Sequence, residues 1–302
     1  MPDIRDYILR RKRELNAIIL AHYYQLPEIQ DIADFVGDSL QLAVQAHQTG
    51  AETIVFCGVG FMAESAKILN PNKLVLLPDN RAGCPMADMI TGEELRQKKK
   101  EYPGAKVVCY VNSSAEVKAE SDICCTSSNA LDVVNSIPQE IPIIFVPDRN
   151  LGAYIQKVTG RPIICWEGCC PVHDVLSKNE IEKQKALHPE AEVVVHPECP
   201  PEVIVMADAV CSTAGILDYI KKSNKTEFIV GTEEGFMYTL HKNCPGKRFY
   251  IARQDFTCKD MKYINLEKLA ESMEKLQYQI QVPEPVREGA AKALNRMLAL
   301  KP

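Results

Sequence analysis

The stretch Cys165-Trp-Glu-Gly-Cys169-Cys170-Pro-Val-His173 follows an apolar run, Pro162-Ile-Ile-Cys165, that reads as a buried strand. Past that strand the chain turns at Gly168 and presents two thiols and an imidazole, Cys169, Cys170 and His173, close behind the only tryptophan, Trp166. Ligands of open α/β sheets bind beyond the carboxyl ends of the strands, so a turn of this composition in this place points to chemistry. Adjacent cysteines supply one metal ligand readily, but two to the same metal only with strain. The remaining ligands of any metal here must come from elsewhere in the chain.

Working outward, similar apolar runs recur, among them Ala17–His22, Thr53–Cys57, Lys106–Val111, Ile141–Pro147, Glu192–His196 and Glu227–Gly231. They are rich in Val and Ile and apolar throughout rather than alternating, the mark of strands covered on both faces. Helix-like segments such as Leu40–Gln48, Ala130–Asn135 and Ile216–Lys221 separate them. The alternation argues for parallel sheets in an α/β fold.

A fixed interval then organises the chain. Cys84, Cys170 and Cys258 each close a strand and turn, 86 and 88 residues apart. Tyr24, Asn112 and Glu198 each follow a strand, at intervals of 88 and 86 residues, and Ser39, Ser127 and Thr213 keep the same two intervals. Such a period predicts three similar α/β/α units of about 87 residues, with short parallel sheets around a pseudo-threefold axis. The expected units are 1–85, 86–171 and 172–264. The tail, 265–302, carries two amphipathic helices around Pro283–Pro285 and is expected to close the ring against the first unit.

Three thiols converging on one axis make a metal site with a vacancy. Structural zinc favours close cysteine pairs of the C-x-x-C kind, which the sequence lacks. An iron–sulfur cube normally takes four cysteines. With three, one iron is left open to act as a Lewis acid on a hydroxyl or carbonyl oxygen, which suits dehydration chemistry. The competing reading for any one cysteine is core packing, since free cysteine behaves as a small hydrophobe. Cys57, Cys109, Cys124, Cys165 and Cys211, within or at the ends of apolar runs, fit that reading.

Carried on His22-Tyr-Tyr24, Gly37-Asp-Ser39, Gly83-Cys84-Pro-Met-Ala-Asp88, Tyr110-Val-Asn112, Trp166-Glu-Gly-Cys-Cys170-Pro-Val-His173, His196-Pro-Glu198, Gly231-Thr-Glu233 and Cys258-Lys-Asp-Met-Lys262, the chain resembles the quinolinate synthase (quinolinate synthetase A) family over nearly its whole length. The resemblance implies a triangular three-domain α/β enzyme of NAD biosynthesis with one [4Fe-4S] cluster on Cys84, Cys170 and Cys258. It implies condensation of iminoaspartate with dihydroxyacetone phosphate to quinolinate, with loss of phosphate and water. L-aspartate oxidase or aspartate dehydrogenase would supply the iminoaspartate. Cys169 competes with Cys170 as a ligand, and both the family pattern W-x-G-x-C-x-V-H and the repeat interval select Cys170.

His22, His196 and Glu198, just past strands, are the expected acid–base groups, with Tyr24 and Tyr110 as proton donors to a developing oxyanion. Asn112 would orient a carbonyl or carboxylate. Ser39, Ser127 and Thr213 each precede a helix-like run and read as N-caps that also bind anions. His173 and Lys262 are expected at the phosphate or a late intermediate, while Lys262 reads equally as a surface charge.

With 46% apolar and 25% charged residues the composition is that of an ordinary globular protein. A net charge of −5 leaves no basic footprint for nucleic acid. The charged, helix-like start to Asn16 is no signal peptide, and no apolar run is long enough for a membrane helix. Twelve cysteines point to a reducing, cytoplasmic setting. No cysteine follows Cys258, so no C-terminal redox switch is expected.

Three other readings compete. One is a diphthamide-synthesis-like enzyme that uses S-adenosylmethionine. The second is a dehydrogenase resting on Gly58-Val-Gly60-Phe-Met-Ala63 with Asp79, which passes for a dinucleotide fingerprint. The third is a non-enzymatic, redox-sensing binding module.

Overall fold

The computed structural model describes residues 3–300. The same eight-element order, helix and strand alternating, occurs three times. The first passage runs α1 (Ile4–Glu14), β1 (Ala17–His22), α2 (Pro27–Ile32), β2 (Phe35–Gly37), α3 (Ser39–Gln48), β3 (Thr53–Cys57), α4 (Gly60–Leu69) and β4 (Leu74–Leu76). The second runs α5 (Gly92–Glu101), β5 (Lys106–Tyr110), α6 (Ala115–Ala119), β6 (Ile123–Cys125), α7 (Ala130–Asn135), β7 (Ile143–Val146), α8 (Arg149–Thr159) and β8 (Ile163–Cys165). The third runs α9 (Lys178–Leu187), β9 (Glu192–Val195), α10 (Pro201–Ile204), β10 (Ala209–Val210), α11 (Thr213–Lys222), β11 (Glu227–Gly231), α12 (Phe236–Asn243) and β12 (Arg248–Ile251).

Each passage makes one four-stranded parallel sheet with the same strand order: β2-β1-β3-β4, β6-β5-β7-β8 and β10-β9-β11-β12. The fold is α/β, built of three similar α/β/α domains. Its central strands are apolar because helices cover both faces; all five residues of β3 are buried. One polar device repeats with the fold. Asp34, Asp122 and Asp208, each just before the second strand of its sheet, accept the N–H of Ile19, Val107 and Val193 at 2.8, 2.9 and 2.8 Å. Each aspartate's own N–H donates to the same residue's carbonyl. These pairs fix the edge strand to the first strand of the sheet at the same register three times over.

The tail forms α13 (Leu266–Lys275) and α14 (Glu284–Ala299). Of the two helices expected against the first unit, α13 packs there on α1. Helix α14 lies mainly along α6 and β6 of the second sheet and also touches α4 of the first. Gly289 lets it do so: a Cβ there would stand 2.9 Å from Ala119 Cβ, closer than side chains pack. Among the described residues no helix is long and apolar enough to cross a membrane.

Candidate active site

One cavity collects the carboxyl ends of strands from all three sheets. The ends of the first strands and the turns after them bring His22 and Tyr24, Tyr110 and Asn112, His196 and Glu198. The second strands lead to Ser39, Ser127 and Thr213, and the turns after the fourth strands to Cys84, Cys170 and Cys258. Side chains distant in sequence share the lining because each sheet offers the same three edges.

Glu198 is the hub. Tyr110 Oη donates to its Oε1 at 2.5 Å, and His173 Nδ1 stands 2.7 Å from its Oε2. Burial pushes this carboxyl up, but His196 and His173 beside it and these hydrogen bonds more than offset that and hold it below the usual carboxylate range. His196 Nδ1 is also 3.6 Å from Oε2, yet that nitrogen accepts the backbone N–H of Glu198 at 3.3 Å and is not a donor. Its Nε2 therefore carries the proton and meets Ser127 Oγ at 3.1 Å. His22 repeats the arrangement, its Nδ1 accepting from the Tyr24 N–H at 3.2 Å.

Burial, reinforced by His196, pushes His22 down to about 3; burial also pushes His196 down to about 3, with Glu198 opposing. Both rings are neutral near pH 7. Tyr24 and Tyr110 are held well above their usual range by burial and the Glu198 charge, so they remain proton donors. Asn112 Oδ1 is buried without a partner among the described residues. An orphaned buried acceptor costs about 1–3 kcal/mol, so a ligand that donates to it is favoured.

The three hydroxyl residues differ from expectation: none is an N-cap. Asp38 caps α3, accepting from the N–H of Leu40 and Gln41, and Ser212 caps α11, accepting from Gly215. Ser39 and Thr213 are the first helical residues, one position later, and Ser127 precedes Asn129, the cap residue of α7. The offset turns their hydroxyls to the cavity while the caps hold the helices. Ser128 Oγ, 2.7 Å from Asp38 Oδ2 and 2.8 Å from Ser212 Oγ, ties the three helix starts together.

The three cysteines of the fourth-strand turns stand close enough to raise one another: Cys258 raises Cys84, and both raise Cys170. Burial is the larger cause and pushes Cys84 and Cys258 up to about 12. Thiols so placed ionise only against a cation, and a bound metal reverses the balance outright. Cys170 Sγ, a His173 ring nitrogen and a Glu198 oxygen also lie within 4.8 Å of one another. Cys169, the rival ligand, does not line the cavity; its neighbours are Asp174 and Arg149. Gly168 makes the turn by close approach, since a Cβ there would stand 2.6 Å from the Pro147 carbonyl.

Lys262 is corrected by its position. It lies outside the cavity lining, with Nζ 2.8 Å from buried Glu233 and bonded to the Tyr24 carbonyl. Among the described residues no lysine or arginine lines the cavity, so its basic side chains are the imidazoles. The apparent dinucleotide fingerprint also fails. The Gly60 N–H is spent on the Ala82 carbonyl at 2.8 Å, and Asp79 is paired with Arg81 and Lys268 at 2.7 and 2.6 Å.

Sequence reasoning missed three supporting residues. Asp148 accepts the Cys170 N–H at 3.1 Å while capping α8 through Leu151, and Glu233 accepts the Cys258 N–H at 3.0 Å. Thr232 touches both Tyr24 and His173. An aspartate three residues before Leu151 was a readable capping signal; the other two lay inside the quoted segment Gly231-Thr-Glu233 with nothing in the spacing to mark their contacts.

The fold and cavity define a triplicated α/β enzyme whose strand ends enclose one chamber lined by thiols, imidazoles and a carboxylate. The profile of the family described as quinolinate synthetase A protein matches residues 6–299. The chain is 56% identical over 292 residues to a quinolinate synthase of Desulforudis audaxviator, covering 97% of this chain and 96% of that one. It is 53% identical over 299 residues to a quinolinate synthase of Methanosarcina barkeri, covering 99% and 98%. The chain belongs to the quinolinate synthetase A family of enzymes.

Proposed function

We propose that this enzyme condenses iminoaspartate with dihydroxyacetone phosphate to quinolinate, releasing phosphate and water, in the cytoplasmic synthesis of NAD. The observation that carries the reading is that each sheet delivers one turn cysteine to the cavity that also holds the acid–base ring. The donor set fits an iron–sulfur cluster: three soft, half-buried thiols lining one cavity, with the Cys170 and Cys258 backbones held by Asp148 and Glu233. Cys84, Cys170 and Cys258 would hold a [4Fe-4S] cluster whose open iron supplies Lewis acidity toward a substrate oxygen.

The protein's own groups do the rest. Glu198, kept ionised, takes a proton from a carbon next to a carbonyl. Tyr110 and Tyr24, kept protonated, donate to developing oxyanions. Asn112 Oδ1 accepts from an imine N–H or a substrate hydroxyl, which fills its missing partner. His22 and His196, neutral, offer Nε2–H to carboxylate oxygens. Ser39, Ser127 and Thr213 hold the anionic ends, and the α3 and α11 dipoles favour them there. The three units, 1–85, 86–171 and 172–264, would each contribute one turn cysteine and one hydroxyl residue. An oxidase or dehydrogenase acting on aspartate supplies the unstable imine.

The test is anaerobic. Protein purified without oxygen should contain iron and sulfide and form quinolinate from the two substrates. Protein that holds the cluster yet forms no quinolinate overturns the reaction; protein that turns over without iron overturns the cofactor.

A further inference from the structure

Thr232 follows β11, is fully buried, and stands behind the cavity rather than in its lining. Its hydroxyl lies 2.6 Å from Tyr24 Oη and 3.0 Å from His173 Nε2. Tyr24 Oη lies in turn 2.9 Å from Thr213 Oγ1, and His173 Nδ1 2.7 Å from Glu198, which Tyr110 binds from the other side. These contacts form one unbroken path: Thr213, Tyr24, Thr232, His173, Glu198, Tyr110. Every member except Thr232 lines the cavity.

The midpoint of that path has a strict chemical requirement. Tyr24 Oη and His173 Nε2 can each donate or accept, and the group between them must pair with both at once. A hydroxyl does so with one atom. Threonine adds a branched Cβ that restricts its χ1 and so holds the oxygen in place. The His173 ring cannot adjust in compensation: it stacks on His196 at 4.7 Å and meets Phe256 edge-on at 5.5 Å. Its Nδ1 is taken up by the Glu198 carboxylate at 2.7 Å, with Cys170 Sγ at 3.3 Å, so Nε2 is left to the Thr232 hydroxyl.

We propose that Thr232 is a positioning residue for the reaction: its hydroxyl joins the Tyr24 half of the cavity to the Glu198 half and holds the Tyr24 hydroxyl and the His173 ring in place. The proposal rests on the acid–base reading above, so its test has one arm that does not need turnover.

In cluster-loaded protein, Thr232→Val, which keeps the shape and removes the hydroxyl, should lower kcat by about 10–100-fold, with KM and iron content close to wild type. Thr232→Ser should return most of the activity. In metal-free protein with 15N-labelled histidine, the His173 Nε2 resonance should move in Thr232→Val and stay in place in Thr232→Ser. An unmoved resonance in Thr232→Val overturns the proposal even if the wild-type protein makes no quinolinate. So does a Thr232→Val enzyme of wild-type kcat, a Thr232→Ser enzyme no better than Thr232→Val, or loss of iron with Thr232→Val.

Discussion

Two cysteines of the first sheet, Cys57 at the end of β3 and Cys84 in the turn beyond β4, stand in different company. Cys57 is fully buried, and burial alone raises its thiol. Cys84 is raised by burial too, but backbone N–H groups of its own turn ease the rise, and Cys258 and Glu198 of the third passage add to it. The second sheet repeats the contrast: Cys109 and Cys124 pair side by side in β5 and β6, while Cys170 faces the cavity. A buried thiol among apolar neighbours is packing. A thiol in the turn beyond a fourth strand that lines the shared cavity is placed for a ligand. Residue type is common to both, and position relative to the strand end separates them.

The largest expected effect tests that division directly. Cys84→Ala, Cys170→Ala and Cys258→Ala should each lose the bound iron and all measurable quinolinate formation, whereas Cys169→Ala and Cys124→Ala keep both. Iron and sulfide analysis under anaerobic conditions reads the outcome. Iron retained in any of the first three, or lost in Cys124→Ala, breaks the division.

A smaller loss should follow when the cavity keeps its cysteines but loses its charge. Glu198→Gln preserves shape and changes what Tyr110 and His173 meet. Its kcat should fall by about 10²–10⁴-fold, the range of acid–base catalysis, with iron content unchanged. Glu233 is the contrast, a buried carboxylate spent on Lys262 and the Cys258 backbone. Glu233→Gln leaves Lys262 without its partner and should show first as lost stability.

The division was largely legible beforehand because the cysteine interval, not the cysteine count, carried it. Two nearly equal intervals, 86 and 88 residues, located the strand-end turns, and all three turn cysteines line one cavity. The short edge strand β2, Phe35–Gly37, escaped notice as a strand because it has only one fully buried residue and no long apolar run. Ser39 and Thr213 were placed one position early as caps because Asp38 and Ser212 are equally good cap residues, and spacing cannot choose between neighbours. Lys262 was half misread because pairing with buried Glu233 is a long-range contact. The seat of α14 depended on Ala119 and Gly289, small residues whose meaning appears only when two helices touch.

Burial raises thiols and lowers imidazoles by the same desolvation, so the histidines give the comparison a second axis. His22 and His196 titrate near 3 in the folded protein against about 6.5 when unfolded. Between those values the unfolded chain binds more protons, so stability falls as pH drops below about 6.5, by up to about 1.4 kcal/mol per pH unit for each ring, and levels off near 3. Urea unfolding of the metal-free protein at pH 7 and pH 5 should show the loss. His22→Gln and His196→Gln should each make the slope shallower. An unchanged slope in both would show that these rings are charged in the folded state.

The smallest effect belongs to the packing cysteines. Cys57 sits at the end of a strand buried on both faces, next to Ala21 of β1 in register. Removing its sulfur in Cys57→Ala should lower stability by about 1–2 kcal/mol and leave iron and kcat unchanged. Cys57→Ser should cost more than Cys57→Ala although serine is nearer in size, because a hydroxyl placed among apolar side chains needs a partner that a thiol does not. Chemical denaturation of the three proteins gives the order. If serine proves milder than alanine, Cys57 has a polar neighbour that the apolar reading of β3 omits, and the line between packing thiols and ligand thiols shifts inward by one strand position.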